Sequence, residues 1–155
     1  MMGKAAASFE AIGVRDWIVT VTGWLDRFPL SVLLLVFRFS IGSVFWHAGL
    51  TKIASWQTTI VLFQNEYKVP LLPPELAAYM ATTVELTCPV LLVLGLAARL
   101  VTLPMLAQTF VIEAFVYPAA YPVHGPWAVC CLVIMIFGPG FLSLDTLVAR
   151  MFSRK

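Results

Sequence analysis

Residues 29–53, PLSVLLLVFRFSIGSVFWHAGLTKI, are long and apolar enough to cross a bilayer, yet they contain Arg38 and His47. A spanning helix needs roughly 20 consecutive, mostly apolar residues. A charge inside such a span costs on the order of 2.5–3.5 kcal/mol on insertion scales, so it turns toward protein or water and takes a partner. At about 100° per residue, Arg38, Gly42, Phe45, Gly49 and Lys52 share one face of this helix. His47 lies nine positions beyond Arg38, on nearly the opposite face. Other helices have to pack so that both sides are satisfied.

The rest of the chain supplies those helices. Of its 155 residues 61% are hydrophobic and 12% charged, against about 25% charged in soluble domains. It reads as an integral membrane protein. The net charge of +2 is small and the basic residues sit near span ends, so nothing supports nucleic-acid binding. Cys88, Cys130 and Cys131 lie in apolar stretches and form no C-x-x-C pair. They read as small buried hydrophobes and not as a thiol relay. Glu10, Asp16 and Asp26 interrupt the first 28 residues, which lack the unbroken apolar core of a cleavable signal.

Taken in order, residues 8–28 look amphipathic, with Trp17, Val21, Trp24 and Phe28 on one face and Arg15, Asp16, Asp26 and Arg27 at polar positions. A helix lying in the headgroup region fits that pattern, and docking on a partner subunit is the alternative. Spans are expected at about 29–53, 75–97, 100–119 and 126–137. A short interfacial or re-entrant helix is expected near 54–66, before the turn that Pro70, Pro73 and Pro74 impose. Arg99 leaves a very short turn between the second and third spans. The sequence GPG at 138–140 stops the fourth, and Ser143 is placed to cap a helix over 144–152 with Asp145 in its first turn. The expected fold is an all-α membrane protein. A four-transmembrane-helix bundle, residues 29–142, follows an N-terminal amphipathic interfacial segment, 1–28, and precedes a short C-terminal amphipathic tail, 143–155. Lys4, Arg15, Arg27, Arg99, Arg150, Arg154 and Lys155 fall on one side of such a bundle and only Lys52 and Lys68 on the other, which predicts that both termini are cytoplasmic.

Four ionisable groups fall within the spans: Arg38, His47, Glu85 and Glu113. Counting from the cytoplasmic span ends at 1.5 Å per residue puts Arg38 roughly 12 Å deep, Glu85 roughly 18 Å, Glu113 roughly 20 Å and His47 roughly 25 Å. That predicts an Arg38–Glu85 pair and a His47–Glu113 pair. Such groups can fix helix register, or they can form a proton-handling or quinone site in which Glu85, His47 and Glu113 are the catalytic candidates. Two histidines at one depth are needed for bis-histidine haem, and His124, the other histidine, falls in a loop by this reading. Cys130 and Cys131 point to different faces of one helix, so no metal site is expected.

These features resemble the DoxX family of small four-helix bacterial membrane proteins. The resemblance rests on RFSIGSVFWHAGLTKI in the first span, Glu85 in the second, LGLAAR at 94–99 and FGPGFLSLD at 137–145. It covers about residues 30–148, and Arg38, Lys52, Glu85 and Arg99 match the family's polar positions. The resemblance implies a multi-pass protein of the bacterial inner membrane, in contact with lipid and with other membrane subunits or copies of itself. It also implies a role beside redox enzymes, since one branch is similar to the membrane subunit of a thiosulfate:quinone oxidoreductase. Two functions follow as expectations. One is a non-catalytic subunit that anchors or stabilises a larger redox complex. The other is a quinone-interacting subunit with a quinone or lipid site at Arg38, His47, Glu85 and Glu113. Catalysis by this chain alone is not expected.

Overall fold

The computed structural model describes residues 2–152, with side chains from residue 13 onward. Arg154 and Lys155, which enter the charge count above, lie outside the described residues. All regular elements among the described residues are helical. The chain divides into an N-terminal unit ending at Leu30 and a second unit from Ser31 onward.

The N-terminal unit is a single helix, α1 (Met2–Leu25), which starts earlier than the expected residue 8. The Asp26 amide still reaches the Thr22 carbonyl, and the amides of Arg27 and Phe28 then close a turn on Trp24 and Leu25. Phe28 therefore leaves the face that holds Trp17, Val21 and Trp24. Thr20 and Thr22 donate their hydroxyls to carbonyls one turn back, which lets them sit in the apolar stretch that ends α1.

The second unit contains α2 (Leu30–Ala54), α3 (Trp56–Leu62), α4 (Pro74–Leu94), α5 (Ala98–Val111), α6 (Tyr121–Phe137) and α7 (Leu144–Phe152). α5 runs on through a π-helical turn, Ile112–Val116, and α3 through another, Phe63–Tyr67. Among the described residues, three helices are long and apolar enough to span a membrane: Leu30–Ala54, Pro74–Leu94 and Ala98–Val116. α6 is apolar but shorter, and its 17 residues rise about 25 Å. It begins five residues before the expected start at Pro126. The Ala120 carbonyl accepts the amides of Val123 and His124, and Pro122 occupies the opening turn, where its missing N–H costs nothing. His124 is thus helical and buried, not part of a loop.

Ile41 and Phe45 of α2, Cys88 and Leu92 of α4, Met105 of α5 and Ile134 of α6 join one apolar core. The face of α2 inferred from spacing is the buried one, with Arg38, Gly42, Phe45 and Gly49 all inside. Two glycines let α2 lie close on α4. A Cβ at Gly49 would stand 2.7 Å from Leu86 Cδ2, and one at Gly42 would stand 3.1 Å from Val93 Cγ2. Small residues at such crossings allow the backbone contact that holds helices together where there is no water to expel. A smaller cluster of Phe63, Ala77 and Ala78 seats the α3 segment on the start of α4.

The α4–α5 turn is tied to the end of the chain. Gly95 takes φ 68° and Ala97 φ 48°, a region that costs a non-glycine residue about 1–2 kcal/mol. Asp145 offsets that strain. Its Oδ1 and Oδ2 accept the amides of Ala97 and Ala98 at 2.7 and 3.1 Å, and its own amide donates to the Gly95 carbonyl at 2.9 Å. Ser143 caps α7 as expected, accepting the Thr146 amide at 3.3 Å while donating to the Gly140 carbonyl at 2.6 Å.

Gly95→Ala tests this junction, because a Cβ there would overlap Arg38 Nη1 and lie 2.5 Å from Ser143 Cβ. It should cost at least about 2 kcal/mol and lower the melting temperature in detergent. Gly23→Ala, with nothing within 4 Å of the added methyl, should leave melting unchanged or raise it. Equal behaviour of the two variants would remove the role given to Gly95.

Candidate functional site

Between α4 and α5, beside the α3 segment, lies a cavity of about 300 Å³. Ala77 and Ala81 on one wall and Ala107 on the other leave room that larger side chains would fill. Its surface is almost wholly apolar, and the charged and amide-bearing residues in its lining, Glu85, Lys52 and Gln108, meet at one place.

Glu85 is 3% exposed and lies about midway along α4. Its Oε1 accepts from Lys52 Nζ at 2.8 Å and from Gln108 Nε2 at 2.6 Å, so α2, α4 and α5 converge on one oxygen. Lys52 is the cation that makes burial of this carboxylate tolerable. Two atoms of the cluster, Glu85 Oε2 and Gln108 Oε1, are buried with no hydrogen-bond partner among the described residues.

The expected Arg38–Glu85 pair does not form. Arg38 is fully buried, but it donates Nη2 to the Leu142 carbonyl at 2.5 Å, and its Nη1 lies against Gly95 at the α4–α5 turn. Depth counting failed because it started every helix from one plane. α2 begins about 12 Å before the level of Gly95. From that level Lys52 lies ~21 Å along α2 and Glu85 ~15 Å along α4, a gap of ~6 Å that a lysine stem closes. Gln108, ten residues beyond Ala98, lies at the same ~15 Å. The expected His47–Glu113 pair does not form for the same reason. His47 is exposed and its Nδ1 lies 2.7 Å from the Ser43 carbonyl of its own helix. Glu113 meets His124 instead, Oε2 to Nδ1 at 2.7 Å, with Trp127 edge-on to the imidazole at 4.9 Å. Of the four residues singled out by sequence, only Glu85 lines the cavity.

Lys52 and Gln108 are not among those candidates, although spacing puts Lys52 on the same face of α2 as Arg38 and Gly49. The two tyrosines at the far end of the cavity were not among them either. Tyr67 and Tyr117 stand at the ends of the two π-helical turns, with ring centroids 6.0 Å apart. Tyr117 donates its hydroxyl to Glu66 Oε1. That hydrogen bond, then burial, holds the Tyr117 phenol above its ordinary pKa of 10.0. Burial, then the Glu66 charge, raises Tyr67. The three cysteines are free thiols, and no group of three or more potential metal ligands occurs among the described residues.

Two measurements check this geometry. Lys52→Met leaves the Glu85 carboxylate buried without its cation and should cost about 3 kcal/mol. Glu85→Gln should cost less, and the double variant should recover part of the Lys52→Met loss when all are melted in detergent. Additive losses would show that the two residues do not interact. For Tyr117 the sign follows from its raised pKa. The folded state holds the phenolic proton more tightly than the unfolded state, so the stabilisation is complete below pH 10 and is lost as pH rises through the folded value. Tyr117→Phe should flatten the fall in melting temperature above pH 10, and an unchanged slope would remove Tyr117 as its source.

Residues 33–118 match the DoxX family. No curated protein and no solved structure matches the chain. The matched region contains α4, α5, nearly all of α2, and every residue that lines the cavity, whereas the 138–143 loop and α7 lie beyond it. The chain is a member of the DoxX family of proteins.

Proposed function

We propose that this protein is a multi-pass subunit of a larger redox assembly in the bacterial inner membrane and that its Glu85 cavity binds the ring of a quinone. One observation carries the reading. An apolar cavity of about 300 Å³ has, at a single place, a buried carboxylate, a lysine and a carboxamide. Ligand sites commonly combine an apolar body with a few convergent polar groups. A quinone has the matching form, a flat apolar ring with oxygen substituents and an isoprenoid tail. A quinone bound there supplies two-electron redox chemistry, while this chain's residues hold the ring, keep water out and orient the oxygen nearest Glu85.

In this reading α2, α4, α5 and α6 all cross the bilayer, with both termini cytoplasmic and the Tyr67–Tyr117 end of the cavity toward the opposite face. α1 and α7 lie along the cytoplasmic surface. Leu144, Leu147, Val148 and Met151 fall on one side of α7 and support that placement. The role as an anchoring subunit is favoured by α2. Ser40, Ser43, His47 and Thr51 form an exposed polar stripe on the side of α2 away from Arg38 and Lys52, with Ser43, His47 and Thr51 each bonded to a carbonyl of their own helix. In lipid such a stripe is best satisfied by a neighbouring transmembrane helix.

The cavity reading is tested by equilibrium binding of decylubiquinone to the purified protein in lipid nanodiscs. Binding should be saturable with about one site per chain and should be lost in Ala107→Trp, which fills the cavity from its α5 wall. Saturable binding that survives Ala107→Trp, or no saturable binding by the native protein, would overturn it.

A further inference from the structure

We infer that the cavity takes its quinone sideways from the bilayer, through an opening between α4 and α5 at Met80 and Ala107, and that the isoprenoid tail occupies this opening while the ring is bound. The inference rests on the quinone reading above and adds the route and the tail site to it. Size is the first constraint. About 300 Å³ is the lower end of the range for small-molecule pockets. That volume holds a substituted ring but not a long chain folded beside it, so the tail has to leave.

Two parts of the lining reach the outer surface. At the tyrosine end Tyr117 is 41% exposed, and Glu66 and Lys68 stand exposed near it. An apolar chain leaving there would pass charged side chains at the membrane edge, with water around its methylenes. The other part lies along α4 and α5. Met80 and Ala107 line the cavity and are both exposed, so each borders the cavity and the outer surface together. Each also belongs to an exposed apolar stripe of its own helix, Leu76 and Met80 on α4, and Leu103, Ala107 and Phe110 on α5.

Ala107 lies about 14 Å along α5 from Ala98, and Met80 about 22 Å along α4 from Gly95. Both levels fall inside a hydrocarbon core about 30 Å thick. A chain that emerges here passes directly into lipid and stays out of water. The rim suits that passage, because Ala107 presents only a methyl group and Met80 is unbranched and adapts to an irregular apolar neighbour. The ring then points inward, toward Glu85, Lys52 and Gln108. Met80 and Ala107 thereby favour a tailed quinone over a bare ring.

Photolabelling of the native protein in nanodiscs decides the matter, with a decylubiquinone analogue that carries a diazirine midway along its tail. Mapped by mass spectrometry, the label should fall on Met80, Leu103, Ala107 or Phe110. Excess unmodified decylubiquinone should reduce it at least about tenfold. Displaceable label on Tyr67, Tyr117 or any other residue off this rim would overturn the inference and leave the quinone reading intact. Label that decylubiquinone does not displace, wherever it falls, reports contact from the lipid phase alone and would overturn both.

Discussion

A carboxylate carried into an apolar bundle has to be neutralised where it stands, and the Lys52–Glu85 pair is the contact on which this arrangement turns. Its formation depends on how α2 is set against α4. Gly42 and Gly49 let the two backbones approach, and Arg38, held level with Gly95, fixes how far α2 slides along its neighbour. That offset brings a residue from the end of one helix within reach of the middle of another. Gln108 then draws α5 to the same oxygen. One acceptor atom gathers three helices, and the space left beside it becomes the cavity.

Much of the fold could be read from residue spacing. The buried face of α2, the tight α4–α5 connection and the Ser143 cap of α7 each follow from local chemistry that a sequence states directly. The site was less legible. Glu85 stood out as a charge in an apolar span, but its partner depended on an offset between helices that no single segment encodes. Gln108 carries no charge and gave no signal of its own. Sequence alone puts His124 in a loop before a helix that opens at Pro126, whereas Pro122 occupies that opening turn. The pairing of Tyr117 with Glu66 bridges 51 positions and depends on two π-helical turns that have no composition of their own.

Those two turns share a construction. The Lys68 amide reaches back five residues to Phe63 and the Tyr117 amide five residues to Ile112, so each helix ends with a widened turn. Such turns often accompany functional sites. Here they end next to each other, and each places a tyrosine at the far end of the cavity. The apolar walls, the polar base and the aromatic end thus come from separate segments, and each is shaped by a different local device.

The cap that Asp145 places on α5 lies 48 positions from the Ala97 amide it satisfies. During synthesis the α4–α5 hairpin is made well before Asp145. Until then the Ala97 and Ala98 amides have only water or lipid headgroups as partners, and the strained turn has nothing to offset it. The C-terminal segment therefore acts as a late fastener, and the order of translation sets when the bundle becomes rigid at this end.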